Sequence, residues 1–237
     1  MGAGDLPPMK IAGIICVRDE EDIIERTLEN IFDQGVDHVY CQDDGSADGT
    51  LAIVRDFAEV TAMTSHSEYF WQASIMNGLS DLAHNEGATW IVPFDADEFW
   101  RGTEGRTLRQ VIEGAQEPKL VAKLWNYTTP EMKIVAPERL PKVAFRWQEG
   151  VKIAAGNHDI SIPGGEPGLI EILHLPYRGF EQFKRKVRFA IERLDPQTKD
   201  RGVGIHHTAL DGATEDEMRD AWQRFNDQET VRDPMWV

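Results

Sequence analysis

From position 10 to 17 the chain is apolar at almost every residue, as a strand covered on both faces must be. The acidic quartet Asp19, Glu20, Glu21 and Asp22 follows, and is expected to cap a helix start and complement its dipole. Ile23, Ile24, Leu28, Ile31 and Phe32 then recur at helical spacing, with Gly35 as a natural stop. The pattern predicts further strands at 38–41, 60–63 and 90–94, alternating with helices through 51–57 and 70–83. Such alternation specifies an α/β fold with a mainly parallel sheet flanked by helices, whose ligands sit beyond the carboxyl ends of the strands. After Trp100 the pattern loosens. Helices are expected near 108–115, 180–194 and 215–225, and strands at 120–125, 143–147 and 169–173. Gly and Pro punctuate 154–168, which reads as a loop or hairpin region.

Two of the early strands end in carboxylates. The run Ile91-Val92-Pro93-Phe94 stops at Asp95-Ala96-Asp97-Glu98, and the strand before it stops at Asp43-Asp44. In an extended chain residues two apart share a side, so Asp95 and Asp97 are expected to aim at one point. Acids so crowded need a cation or a hydrogen-bonding ligand between them, and hard oxygen ligands suit Mg²⁺ or Mn²⁺ on a phosphate ester. The loop 43–49 is also rich in turn chemistry; Asp43, Ser46 and Asp48 are assigned to it, and Asp44 to function.

Twenty-five basic residues against 41 acidic ones leave a net charge of −16, which argues against nucleic acid or anionic lipid as partner. Cys16 and Cys41 fall in predicted strands without metal-type spacing and are expected to be reduced core thiols. No apolar run approaches the roughly 20 residues of a membrane span, so we expect no transmembrane segment and a cytoplasmic location.

The first strand with Arg18-Asp19-Glu20-Glu21, the stretch Asp43-Asp44-Gly45-Ser46-Ala47-Asp48-Gly49-Thr50, and Asp95-Ala96-Asp97-Glu98-Phe99 together resemble family 2-type glycosyltransferases. The likeness is to the branch whose metal motif reads DxDEF and whose later part carries an HxPxR segment, here His174-Leu175-Pro176-Tyr177-Arg178. The resemblance implies a GT-A, Rossmann-like fold with a smaller acceptor-side β/α part. It implies a nucleotide-diphosphate-sugar donor, with UDP favoured and GDP or dTDP open, a Mn²⁺ or Mg²⁺ cofactor, and inverting transfer to an acceptor hydroxyl of unknown identity. One domain, 1–237, would hold a nucleotide-binding half at 10–100, an acceptor and catalytic half at 101–195 and a helical appendage at 196–237.

Carried over by position, Asp44 would meet the nucleobase, with Cys16, Arg18 and Asp19 lining the same pocket. Asp95 would reach the ribose or a metal-bound water, Asp97 would be the direct metal ligand, and Glu98 would orient its neighbours. His174 and His158 are further candidate metal ligands, and Arg178 and Lys186 would neutralise phosphate charge. The acceptor hydroxyl needs a carboxylate base; Asp159 leads and Glu149 comes second. Tyr69-Phe70-Trp71 is expected to pack in the core, Gln72 and Asn77 to lie near the donor, and His206 and His207 to be structural. A nucleotidyltransferase is disfavoured because the first strand runs into acids instead of a Gly-rich basic loop. A metal-dependent nucleotide-sugar hydrolase and a non-catalytic nucleotide-sugar binding module stand as alternatives.

Overall fold

The computed structural model describes residues 9–65, 69, 71–193 and 209–236. Phe70, His206 and His207, named above, and position 194, the end of the helix expected at 180–194, lie outside them. In chain order the elements are β1 (Ile11–Val17), α1 (Ile24–Asp33), β2 (His38–Asp43), α2 (Thr50–Asp56), β3 (Val60–Thr64), α3 (Gln72–Asn85) and β4 (Trp90–Pro93). Then come β5 (Glu98–Gly102), α4 (Leu108–Glu113), β6 (Lys119–Thr129), β7 (Met132–Ile134) and β8 (Lys142–Arg146). The chain finishes with β9 (Glu166–His174), α5 (Phe180–Arg193), α6 (Glu215–Asn226) and β10 (Thr230–Arg232).

The strands β3, β2, β1 and β4 pair in that order and all in parallel. β8 then joins β4 antiparallel, β6 joins β8 antiparallel, and β9 lies parallel to β6 and antiparallel to β5. Helix α1 buries Ile24, Leu28 and Ile31 against one face of the sheet, together with Ile11, Ile15, Trp90 and Val92. Helix α3 buries Met76, Leu79 and Ala83 on the other, against Ile14, Ile91 and Phe145. Helix α1 ends as its sequence asks: Gly35 takes φ 91° and the Val36 amide reaches back to the Ile31 carbonyl (3.2 Å).

The start of α1 differs from expectation. Its N-terminus has no side-chain cap. Glu20 and Asp22 instead turn to Arg178, which opens the segment before α5. Among the described residues, side-chain capping boxes form at Thr107 with Gln110 on α4 and at Thr214 with Glu217 on α6.

Because β8 is antiparallel to β4, it begins where β4 ends. Lys142, its first residue, is therefore presented beside the acidic turn, while Arg146 and the loop after it lie at the opposite rim.

Candidate functional site

The loops following β2 and β4 carry Asp44, Asp95 and Asp97 to one rim of the sheet. The Cys16 thiol lies within electrostatic reach of both Asp44 and Asp95; burial first, and then these carboxylates, push it far above its ordinary range. Cys41 is buried and also a free thiol.

Asp95 and Asp97 do not aim at a common point. The chain leaves β4 at Pro93 and turns, with the Glu98 amide donating to the Asp95 carbonyl (3.2 Å), so the alternation of an extended strand no longer applies. Asp95 accepts from Lys142 Nζ (2.5 Å) and Asn157 Nδ2 (3.2 Å). Asp97 accepts from Lys186 Nζ, with His174 Nε2 at 3.4 Å and Arg178 Nη1 at 3.9 Å. Burial opposes ionisation of Asp97, but Lys186, His174 and Arg178 outweigh it and hold its carboxyl well below the usual range.

Glu98 does orient its neighbours. One of its oxygens accepts from the Asp95 amide (3.2 Å) and Trp100 Nε1 (3.4 Å), and the other lies 2.9 Å from Lys142 Nζ. Lys142 is 3% exposed. Burial alone would lower its pKa, yet Asp95 and Glu98 reverse the sign and raise it. Sequence reasoning missed this residue; the available signal was a lone lysine opening the apolar run Val143-Ala144-Phe145.

Asp44 is buried, and both its oxygens face Arg193 Nη2, at 2.9 and 3.2 Å. Arg18 donates to the Asp44 carbonyl (2.7 Å) and its guanidinium covers the Phe189 ring. Asp19, at φ 53°, accepts from the Ala47 amide (2.7 Å) and thereby shapes the loop that presents Asp44. Asp43 accepts from the Gly45 and Ser46 amides and Asp48 from Thr50, the turn roles expected of them.

His174 closes β9, opposite Glu98 on one side and Asn126 on the other. Its Nδ1 meets Asn126 Oδ1 at 2.7 Å, leaving Nε2 toward Asp97. Among the described residues no three His, Cys, Asp or Glu side chains gather to hold a cation alone. Asp97 Oδ1 and His174 Nε2 are the pair that fits one. Their 3.4 Å separation is long for a hydrogen bond and close to the roughly 3 Å between neighbouring ligands of an octahedral Mg²⁺-sized ion.

Other candidates fall outside this group. His158 Nδ1 donates to the Pro141 carbonyl (2.9 Å), and burial lowers the pKa of its ring. Asp159 is bound to Lys119 Nζ (3.0 Å) and the Ile160 amide (2.8 Å) at the start of β6; burial opposes its ionisation but these partners hold the carboxyl below its usual range. Glu149 is exposed in the loop after β8, at the opposite rim, about 16 Å of strand from Asp95. Gln72 and Asn77 are occupied in pinning the 153–157 segment to α3, through Gly156 and Ile153. Trp71 is 47% exposed instead of packing in the core.

Residues 14–131 match the family described as glycosyl transferase family 2. Among curated proteins, none matches the sequence. The fold is similar to that of S. aureus TarS 1-349 in complex with UDP-GlcNAc, at 13% identity and TM-score 0.50, over 91% of this chain and 79% of that one. The UDP complex of the same fragment aligns at 15% identity and TM-score 0.46, over 78% of this chain and 65% of that one, so this chain spans less than two thirds of it. Glucosyl-3-phosphoglycerate synthase from Mycobacterium tuberculosis, with Mn²⁺, UDP and glucosyl-3-phosphoglycerate, aligns at 14% identity and TM-score 0.36, over 50% and 44%. With a mixed sheet that is parallel at its centre and helices on both faces, the chain has the GT-A fold, and its segment 14–131, from β1 past β6, belongs to glycosyl transferase family 2.

Proposed function

We propose that the chain transfers a sugar from a nucleotide-diphosphate donor, UDP-sugar before GDP- or dTDP-sugar, to an acceptor hydroxyl with inversion. The observation that carries this is the Asp97–His174 pair flanked by Lys186 and Arg178 at the carboxyl rim of the sheet. A divalent cation such as Mn²⁺ or Mg²⁺, held there by Asp97 and His174, would supply Lewis-acid stabilisation of the leaving diphosphate. Lys186 and Arg178 add positive charge where the leaving group gathers negative charge. Asp44 takes the nucleobase, with Cys16, Arg18 and Asp19 shaping that pocket, and Asp95 takes the ribose. For proton removal from the acceptor we keep Asp159, which pairs with Lys119 apart from the Asp97 group but follows two residues after Asn157, a partner of Asp95. In the step, the acceptor oxygen bonds to the anomeric carbon and its proton passes to the carboxylate. The bond from that carbon to the diphosphate breaks, and its electron pair leaves with the nucleotide.

Calorimetry with UDP, GDP and dTDP, with and without Mn²⁺, followed by donor turnover, tests the reading. Metal-dependent binding of one nucleotide, abolished in Asp97→Asn, is expected. Donor cleavage insensitive to every acceptor would instead make the protein a hydrolase, and binding without turnover a binding module. Absence of nucleotide binding with metal present would refute the transferase.

A further inference from the structure

Glu138 and Asn126 lie outside every role assigned so far, yet they form a continuous hydrogen-bonded line to the candidate cation site. Glu138 Oε2 accepts from Asn126 Nδ2 (3.0 Å), Asn126 Oδ1 meets His174 Nδ1 (2.7 Å), and His174 Nε2 faces Asp97. Glu138 is exposed; its other oxygen accepts from the Arg139 amide (2.8 Å) and its own amide donates to the Leu124 carbonyl (2.9 Å).

The direction of this line follows from what each group can offer. A carboxylate only accepts, so Asn126 must present its NH₂ to Glu138, and its carbonyl oxygen then faces the imidazole. A carbonyl oxygen also only accepts, so His174 Nδ1 must carry a hydrogen. When the ring is uncharged, as binding a cation requires, its lone pair is then on Nε2, on the side of Asp97. Without Asn126 the hydrogen could sit on either nitrogen, and on Nε2 it would block a cation.

We propose that Asn126 is a positioning residue that sets the histidine tautomer for metal binding, and that Glu138 fixes the amide orientation of Asn126. Hydrogen-bond partners of this kind typically contribute about 10- to 100-fold to metal affinity. The inference rests on the reading of Asp97 and His174 as cation ligands, and its test separates the two.

Mn²⁺ affinity of the full chain is measured by calorimetry, and the histidine tautomer by nitrogen-15 NMR without metal, in wild type, His174→Ala, Asn126→Leu and Asn126→Asp. Asn126→Leu is expected to weaken Mn²⁺ binding at least tenfold and to lose the Nδ1-protonated signature. Asn126→Asp keeps an acceptor toward Nδ1, and exposed Glu138 is free to turn away from the new charge. It is expected to stay within about threefold of wild type, well inside the effect of losing the partner. Wild-type affinity in His174→Ala would remove the cation reading, and this inference with it. A tenfold loss in His174→Ala with wild-type affinity in Asn126→Leu would overturn the inference alone. Equal losses in Asn126→Leu and Asn126→Asp would show that Asn126 acts by packing and not as an acceptor, which also overturns it.

Discussion

Replacing Lys142 by Met should unfold the acidic turn from within. The ammonium is 3% exposed and serves two carboxylates, Asp95 at 2.5 Å and fully buried Glu98 at 2.9 Å. At an effective dielectric of 20 each attraction is worth about 6 kcal/mol, opposed by a desolvation cost of several kcal/mol per ion. Breaking such a buried pair by removing one partner usually costs about 3–5 kcal/mol, because the remaining charges stay buried without compensation. For a chain of this size that corresponds to a fall in Tm of roughly 6–20 °C. Urea unfolding of Lys142→Met, Glu98→Gln and the double variant measures it. The double variant should recover much of the loss, since the uncompensated buried charge has gone. Acid should help as well. Burial already pushes the Glu98 carboxyl up, and its folded pKa above the unfolded value makes the folded state the better proton binder, so stability of Lys142→Met should rise between pH 7 and 5. A Lys142→Met protein within 1 kcal/mol of wild type, with no coupling to Glu98 and no gain in acid, would refute the reasoning, given the expected ~3 kcal/mol or more.

Arg193→Ala should bind UDP with Mn²⁺ about 3- to 10-fold more tightly by calorimetry, because the guanidinium now occupies both oxygens of Asp44; weaker binding would show that Arg193 assists the nucleotide. Burial lowers the pKa of His158, so the unfolded chain takes up its proton first as pH falls; stability should therefore be full above about pH 6.5 and decline below it. His158→Gln should flatten that part of a stability-versus-pH curve, and an unchanged slope would contradict the assignment. Gly156→Ala places a Cβ 2.5 Å from the His158 ring at φ 77°, and should cost about 1–3 kcal/mol in urea unfolding. Asp159→Asn should lose transfer while keeping nucleotide affinity; normal turnover would dismiss it as the base.

The repeating part of the fold was legible because its cause is local. The apolar run of β1, the helical spacing of Ile24, Leu28 and Ile31, and the stop at Gly35 each state their element within a few residues. The strand β5 was not, since Glu98-Phe99-Trp100-Arg101-Gly102 is short and is defined by pairing with β9, seventy residues later. At the site, the acids were visible as residue types at strand ends, but their partners were not. Lys142 reaches Asp95 only because β8 runs antiparallel to β4, and no spacing along the chain encodes that reversal. The same limit explains Glu20 and Asp22, where local capping chemistry lost to Arg178, an ion partner more than 150 positions away. It also explains why Asp95 and Asp97 diverge: a tight turn after Pro93 replaced the extended geometry that a period of two assumes.

Four acids of this rim meet cations from the far side of the sequence. Asp44 is met by Arg193, Asp95 by Lys142, Asp97 by Lys186, and Glu20 by Arg178. A fragment ending where the family match ends, at 131, would hold every one of those acids and none of those four bases. The front segment therefore cannot be grafted onto a foreign rear segment as a self-sufficient cassette. Its charges have been fitted to one particular second half, and the two must be exchanged together.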